Sequence, residues 1–200
     1  MTITAAADGS ALGNPGPAGW AWYVDDSAWA AGGWAHGTNN IGELTAVLKL
    51  FRATAHVDDD LLILCDSQYV INSITTWMPG WKKRGWRKGD GKPVLNLELM
   101  QALDAAIAGR RYRFEWVKGH AGHPLNEAAD VRARGAAEAY QRGTPVQGGP
   151  GYPGAVTAGA ADRRGVSAGA AEEADADPTS RNPARSAAPA AGPAPTLFDF

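Results

Sequence analysis

Apolar residues recur with two different periods along positions 1–142 of this chain, and positions 143–200 keep neither. Tyr112-Arg113-Phe114-Glu115-Trp116-Val117 alternates bulky and charged side chains, the period of a half-buried strand. Thr2 to Ala7 reads as a short strand ended by Asp8-Gly9-Ser10 and by the turn-rich Gly13-Asn14-Pro15-Gly16-Pro17. Gly19 to Val24 and Ser27 to Trp34 flank Asp25-Asp26 and predict a hairpin. Leu61-Leu62-Ile63-Leu64-Cys65 is continuously apolar, as expected of a strand covered on both faces.

Helical spacing appears elsewhere. Ile41, Leu44, Val47, Leu48 and Phe51 form one stripe behind Thr38-Asn39-Asn40, where an asparagine is available as N-cap. Val70, Ile71 and Ile74 form a second stripe, and Leu95, Leu99, Leu103 and Ile107 a third. Pro124 suits a first helical position, which puts Asp130 within two turns of a helix start. Strands and helices intermingle in this way in an α/β domain.

Past about Gly143, Gly, Ala and Pro dominate and periodicity is lost, so residues 1–142 are expected to fold and the tail to be disordered to about Pro195. The 25 glycines and 13 prolines are more than a compact core would use, and eight of the prolines with nine of the glycines fall there. The single cysteine, Cys65, excludes an internal disulfide and fits a reducing compartment; on an apolar strand it reads as a buried, inert thiol. No apolar run has the length of a membrane span and no signal sequence is evident, so a cytoplasmic location is expected.

A net charge of −2 says little about partners, because a polyanion responds to local charge. Between Trp77 and Pro93 stand Lys82, Lys83, Arg84, Arg87, Lys88 and Lys92 against Asp90 alone, with Trp81 and Trp86 interleaved. Cations neutralise phosphates and rings pack on sugars or bases, so this segment suits a nucleic-acid backbone; the plainer alternative is a solvated protrusion. The tryptophans near residues 20–34 read as core.

Asp8, Glu43, Asp66 and Asp130 each fall at a strand end or near a helix start. Carboxylates that converge repel one another unless a cation joins them. Mg²⁺ fits such a set, being a hard ion that takes oxygen ligands and keeps waters for a phosphate. Two ions roughly 4 Å apart would polarise a phosphate, activate water and stabilise the leaving oxygen. Serine-histidine-aspartate order, a phosphate-binding glycine loop and zinc spacing are all missing.

At these residues the chain resembles type 1 ribonuclease H, in its bacterial form with a basic protrusion. The resemblance rests on Asp8-Gly9-Ser10 with Gly13 to Pro17, Thr38-Asn39-Asn40 with Glu43, and Cys65-Asp66-Ser67-Gln68. It continues through Trp81-Lys82-Lys83-Arg84-Gly85-Trp86, Trp116 to Pro124, and Asn126-Glu127 with Asp130. Together these cover about residues 2–142 in the family's order. The resemblance implies a ribonuclease H-like α/β fold with a five-stranded mixed sheet flanked by helices. It also implies endonucleolytic cleavage of the RNA strand of RNA–DNA hybrids, dependent on Mg²⁺ with Mn²⁺ as a substitute, giving 5′-phosphate and 3′-hydroxyl ends. Asp8, Glu43, Asp66 and Asp130 are the implied metal ligands, Asp8 and Asp66 the bridging ones. His120 is the implied mobile histidine of proton transfer or product release, and His123 a helix-start residue.

Asn14, Asn40 and Gln68 match positions that read the minor groove of the hybrid, Thr38 a contact to the DNA phosphate, and the segment holding Trp81, Lys82, Lys83, Arg84 and Trp86 the substrate handle. A wide A-form minor groove displays 2′-hydroxyls within reach of such short polar side chains. Leu125 stands where the family commonly has an acid, and the tail has no counterpart in compact members. The rivals are a catalytically silent hybrid-binding module, opposed by the complete acidic set, and another polynucleotidyl transferase such as a transposase or 3′-exonuclease. An exonuclease would carry Asp-x-Glu on the first strand, where Ser10 stands. His36 and His56 have no cluster and receive no role. A monomer is expected, and Thr196-Leu197-Phe198-Asp199-Phe200 loosely resembles Leu-Phe peptides that dock on the sliding clamps of replication.

Overall fold

The computed structural model describes residues 1–155. A five-stranded mixed sheet runs in the order β3-β2-β1-β4-β5. Its strands are β1 (Thr2–Ala11), β2 (Gly16–Asp25), β3 (Ala28–Gly37), β4 (Asp60–Cys65) and β5 (Tyr112–Trp116). The predicted hairpin is β2–β3, paired antiparallel from Asp25↔Ala28 to Gly16↔Gly37. β1 pairs antiparallel with β2 and parallel with β4, and β4 is parallel to β5.

The helices are α1 (Asn39–Ala53), α2 (Gln68–Asn72), α3 (Met78–Lys83), α4 (Leu97–Ile107) and α5 (Pro124–Arg142); a π-helical turn, Ser73–Trp77, joins α2 to α3. The main core joins Trp22, Leu44, Val47, Phe51, Ile63, Met100 and Leu103, all nearly without exposure. Alanines Ala21, Ala31, Ala133 and Ala136 meet where α5 lies on β2 and β3. Small residues allow that close seat: a side chain on Gly19 would overlap the backbone of Ala133 and Ala137. Arg132 adds a polar clamp, its guanidinium 4.4 Å from the Tyr23 ring centroid and 4.6 Å from that of Trp29.

Three expectations change. β1 does not stop at Asp8 but runs to Ala11, because β2 continues opposite it and supplies partners through Ala11↔Ala18. α1 is capped by Thr38, whose Oγ1 accepts from Ile41 N at 3.3 Å, rather than by an asparagine. The fold also extends past 142. After Gly143 closes α5 in the left-handed region (φ 66°), the chain turns back along the free edge of β3. Ala31 N donates to Gly148 O at 3.1 Å, and Gly151 N donates to Trp29 O at 3.0 Å. Val146 packs on the alanine cluster, Tyr152 on the main core, and His56 Nε2 lies 2.9 Å from Pro153 O. Residues 143–155 are thus an ordered strap on an edge strand that would otherwise present unpaired backbone groups; expectations for 156–200 lie outside the described residues.

Candidate active site

The parallel ladder between β1 and β4 ends at Ala6↔Leu64. One residue later β4 gives way at Cys65 to Asp66 and to Ser67, whose hydroxyl caps α2 by accepting from Val70 N at 3.3 Å. β1 continues alone on that side, so Asp8 faces the opening that β4 leaves, a ligand crevice at the carboxyl ends of the strands. α1 crosses the same opening and brings Glu43 in its second turn. One ligand oxygen each from Asp8, Glu43 and Asp66 lie within 4.8 Å of one another.

Burial decides how these acids behave. Asp8 is 4% exposed and Glu43 7%. Desolvation, then the charge of Asp66, pushes the Asp8 carboxyl up to about 8 against the opposing hydrogen bond from Gly9 N. Glu43 is pushed up to about 7, chiefly by burial, with the hydrogen-bonding side chains of Ser67 and Asn39 opposing. Asn39 Nδ2 donates to Glu43 Oε1 at 2.8 Å, while Glu43 Oε2 is buried with no hydrogen-bond partner among the described residues. An orphaned carboxylate oxygen beside two further carboxylates fits a hard divalent cation, which would restore full ionisation. Burial also pushes the neighbouring Cys65 thiol up, in keeping with an inert side chain.

Asp130 does not join this trio. It sits in the second turn of α5, where Asp130, His120 and Glu127 bring their ligand atoms within 4.8 Å of one another. His120 Nδ1 is 3.6 Å from Asp130 Oδ2, and Asp130 is close enough to add to the field that raises Asp8. Glu127 closes the histidine loop by accepting from Gly122 N at 3.1 Å. The sequence reading missed Glu127 as a site residue; its place in the first turn after Pro124, where an acid favours the helix N-terminus, was the available signal. His120 holds φ 51°, an uncommon conformation for a side-chain-bearing residue. His123 stands at the helix start as expected, with no side-chain cap bond.

A groove of about 780 Å³ includes Asp66 and is lined by Asn40, Gln68, Trp81, Arg84, Lys88 and Trp116. Tyr69, Trp77 and Trp81 form a ring ladder along it, with centroids 6.1 and 5.9 Å apart. Trp81 is only 8% exposed and belongs mainly to the core. Lys82 bonds Asp104 on α4 at 2.7 Å, and exposed Lys83 lines a separate hollow with Pro79 and Ile107. Trp86 packs half-buried on the core in the left-handed region (φ 62°). Asn14 Oδ1 accepts from Asn39 N at 3.2 Å, so the first turn is tied to the start of α1. Lys88 belongs to the basic segment expected to meet a nucleic-acid backbone, whereas Tyr69, Trp77 and Trp116 were not singled out from sequence as groove residues.

Partly buried acids that meet at the strand ends of an α/β sheet suit a divalent cation and the hydrolysis that such an ion assists. Residues 1–138 match the family described as RNase H. The chain is 57% identical over 150 residues to the Ribonuclease H of Tropheryma whipplei (strain Twist), covering 75% of this chain and 93% of that protein. Among solved structures it is similar to LC9-RNase H1, a type 1 RNase H with the type 2 active-site motif (TM-score 0.61, 29% identity, 76% of this chain and 77% of that one). It is also similar to the N-terminal RNase H domain of a Mycobacterium tuberculosis protein (TM-score 0.55, 26% identity, 71% and 97%). The chain belongs to the RNase H family, a family of metal-dependent enzymes, and its relatives support endonuclease activity on RNA–DNA hybrids.

Proposed function

We propose that this protein hydrolyses the RNA strand of RNA–DNA hybrids at the Asp8, Glu43 and Asp66 centre, leaving 5′-phosphate and 3′-hydroxyl ends. The observation that carries the reading is the meeting of these three carboxylates within 4.8 Å at the head of a basic, aromatic groove. When bound there, a pair of Mg²⁺ ions, or Mn²⁺ in their place, supplies the Lewis acidity that phosphodiester hydrolysis needs. Asp8, Glu43 and Asp66 would hold these ions, each offering one carboxylate oxygen. Asp130 faces the centre from α5 and orients His120, whose imidazole carries a proton or helps the product leave.

Asn40 and Gln68 line the groove, Asn14 and Thr38 stand at the start of α1, and these four are read as contacts to the hybrid. Short polar side chains there recognise 2′-hydroxyls and phosphates without reading sequence. Arg84 and Lys88 neutralise phosphates farther along, with Lys82, Lys83, Trp81 and Trp86 building the protrusion that carries them. The protein acts as a monomer in the cytoplasm, where Cys65 stays reduced. Among the described residues no helix is long and apolar enough to cross a membrane. The peptide Thr196 to Phe200, proposed as a replication-protein contact, lies outside the described residues.

Asp66→Asn tests the reading, because it keeps shape and removes one charge from the cluster. Wild type should cut the RNA of a hybrid in Mg²⁺ and leave double-stranded DNA and single-stranded RNA intact. The variant should bind the hybrid and fail to cut it. Equal cutting by both would sink the metal-centre assignment, and binding without cutting by both would make the protein a hybrid-binding module.

A further inference from the structure

We infer that Trp116 is a positioning residue for Asp66, and that a seated nucleic acid strengthens its hold; the inference rests on the proposed function above. The geometry follows from how the β4–β5 ladder ends. The parallel register runs to Cys65↔Trp116, and Val117 N donates the last ladder bond to Cys65 O at 3.1 Å. The next carbonyl on the β4 side belongs to Asp66, and by then the partner chain has turned away through Lys118, Gly119 and His120. The Trp116 indole N–H takes its place, donating to Asp66 O at 3.0 Å. The Asp66–Ser67 peptide is thereby held between a strand ladder on one side and the Ser67 cap of α2 on the other.

That peptide sets the direction in which the Asp66 carboxylate leaves the backbone. Gly119 lies against the carboxylate: a side chain there would meet Asp66 Oδ2 and oblige the carboxylate to turn. The Trp116 ring is 51% exposed and lines the groove together with Gln68 and Arg84. In the free protein, water can compete for the Asp66 carbonyl; a nucleic acid lying on the ring excludes that water, and an enclosed hydrogen bond is stronger than a wet one. Binding in the groove and alignment of a proposed metal ligand are then one event.

Trp116→Phe keeps an aromatic face and removes the N–H together with part of the indole surface. Its kcat should fall about tenfold with KM within about twofold, since small displacements of a reacting set are costly. Mn²⁺ binding followed by calorimetry, without substrate, should weaken several-fold while the melting temperature stays near wild type. In the wild type, the Trp116 indole proton should exchange slowly by NMR and more slowly still with hybrid bound. Trp116→Ala should raise KM as well. Wild-type kcat and Mn²⁺ affinity in Trp116→Phe, or an indole proton exchanging at the free rate, would overturn the inference. If wild type cuts no hybrid, the proposed function fails instead, and the Mn²⁺ and indole measurements still decide whether Trp116 holds Asp66. Should Trp116→Phe not fold, the indole measurement on wild type decides alone.

Discussion

Gly9 and Gly42 meet backbone to backbone: a Cβ on Gly42 would lie 3.1 Å from the Gly9 Cα. α1 therefore rests on β1 with nothing between them, one residue before Glu43 and one after Asp8. Gly42→Ala should push the helix outward, destabilise the fold by about 1–3 kcal/mol through overpacking, and weaken Mg²⁺ binding by separating Glu43 from Asp8. Thermal melts with and without Mg²⁺ check this; an unchanged metal-dependent shift would show that the two carboxylates do not depend on the glycine contact.

The raised acids predict a definite pH dependence. Asp8 at about 8 and Glu43 at about 7 stand above their ordinary values of 3.8 and 4.5, so the native chain holds protons that the unfolded chain releases. Their contribution to stability is complete below about pH 4 and is lost as pH rises toward 8. In chelator, the melting temperature should decline between pH 5 and 8, and Asp8→Asn should flatten that decline. Mg²⁺ should stabilise more at pH 8 than at pH 6 and release protons on binding, read from the buffer dependence of the calorimetric heat. A melting temperature in chelator that rises from pH 6 to 8 in parallel for both proteins would contradict the assignment.

His120 and Asp130 should act on a different step from the trio. His120→Ala should lower turnover by about a hundredfold, the low end for a lost general acid–base group, with Mn²⁺ affinity in the absence of substrate unchanged. Asp66→Asn should lower both. Parallel losses of metal affinity in the two variants would place His120 among the inner ligands.

Within the basic segment the charges should divide by what they already touch. Neutralising Arg84 and Lys88, which line the groove, should raise KM and reduce the salt slope by roughly 0.9 for each phosphate contact removed. Lys82 is held by Asp104, and Lys82→Gln should chiefly loosen α3 from α4. An identical salt slope in the Arg84 and Lys88 variants would leave the protrusion solvated rather than bound.

Much of this was legible in the sequence. The period-two runs located the hairpin and β5, the apolar run located β4, and the Ile41 to Phe51 stripe located α1, because each pattern repeats over a whole face. Single-residue features were less legible. Asp8 looked like a strand end because Gly9 and Ser10 read as a break, yet pairing with β2 overrides that local signal. The acidic residues read as one group of four, but which oxygens meet depends on α5 docking, and Asp130 falls beside His120 and Glu127. Trp81 stands among lysines, so local charge hid its burial. The strap was invisible for the opposite reason: its bonds come from β3 and His56, more than ninety residues away in sequence.

That strap sets the limit for trimming the chain. A protein ending at Gly143, the boundary expected from composition, should lose the Val146 and Tyr152 contacts and melt earlier, by an amount corresponding to about 1–3 kcal/mol. One ending at Ala155 should match the full chain in melting temperature and hybrid cleavage. Equal melting of the two truncations would show the strap to be ornamental.

The strap runs antiparallel to β3 and ends beside His56, in the loop that precedes β4. Asp8 and Asp66 lie toward the other end of those strands, so position 155 is delivered to the pole of the domain away from the carboxylates. A fluorophore, a purification handle or a solid support coupled there would leave the groove facing open solution, which makes this the natural anchor for watching single enzyme molecules work on a hybrid.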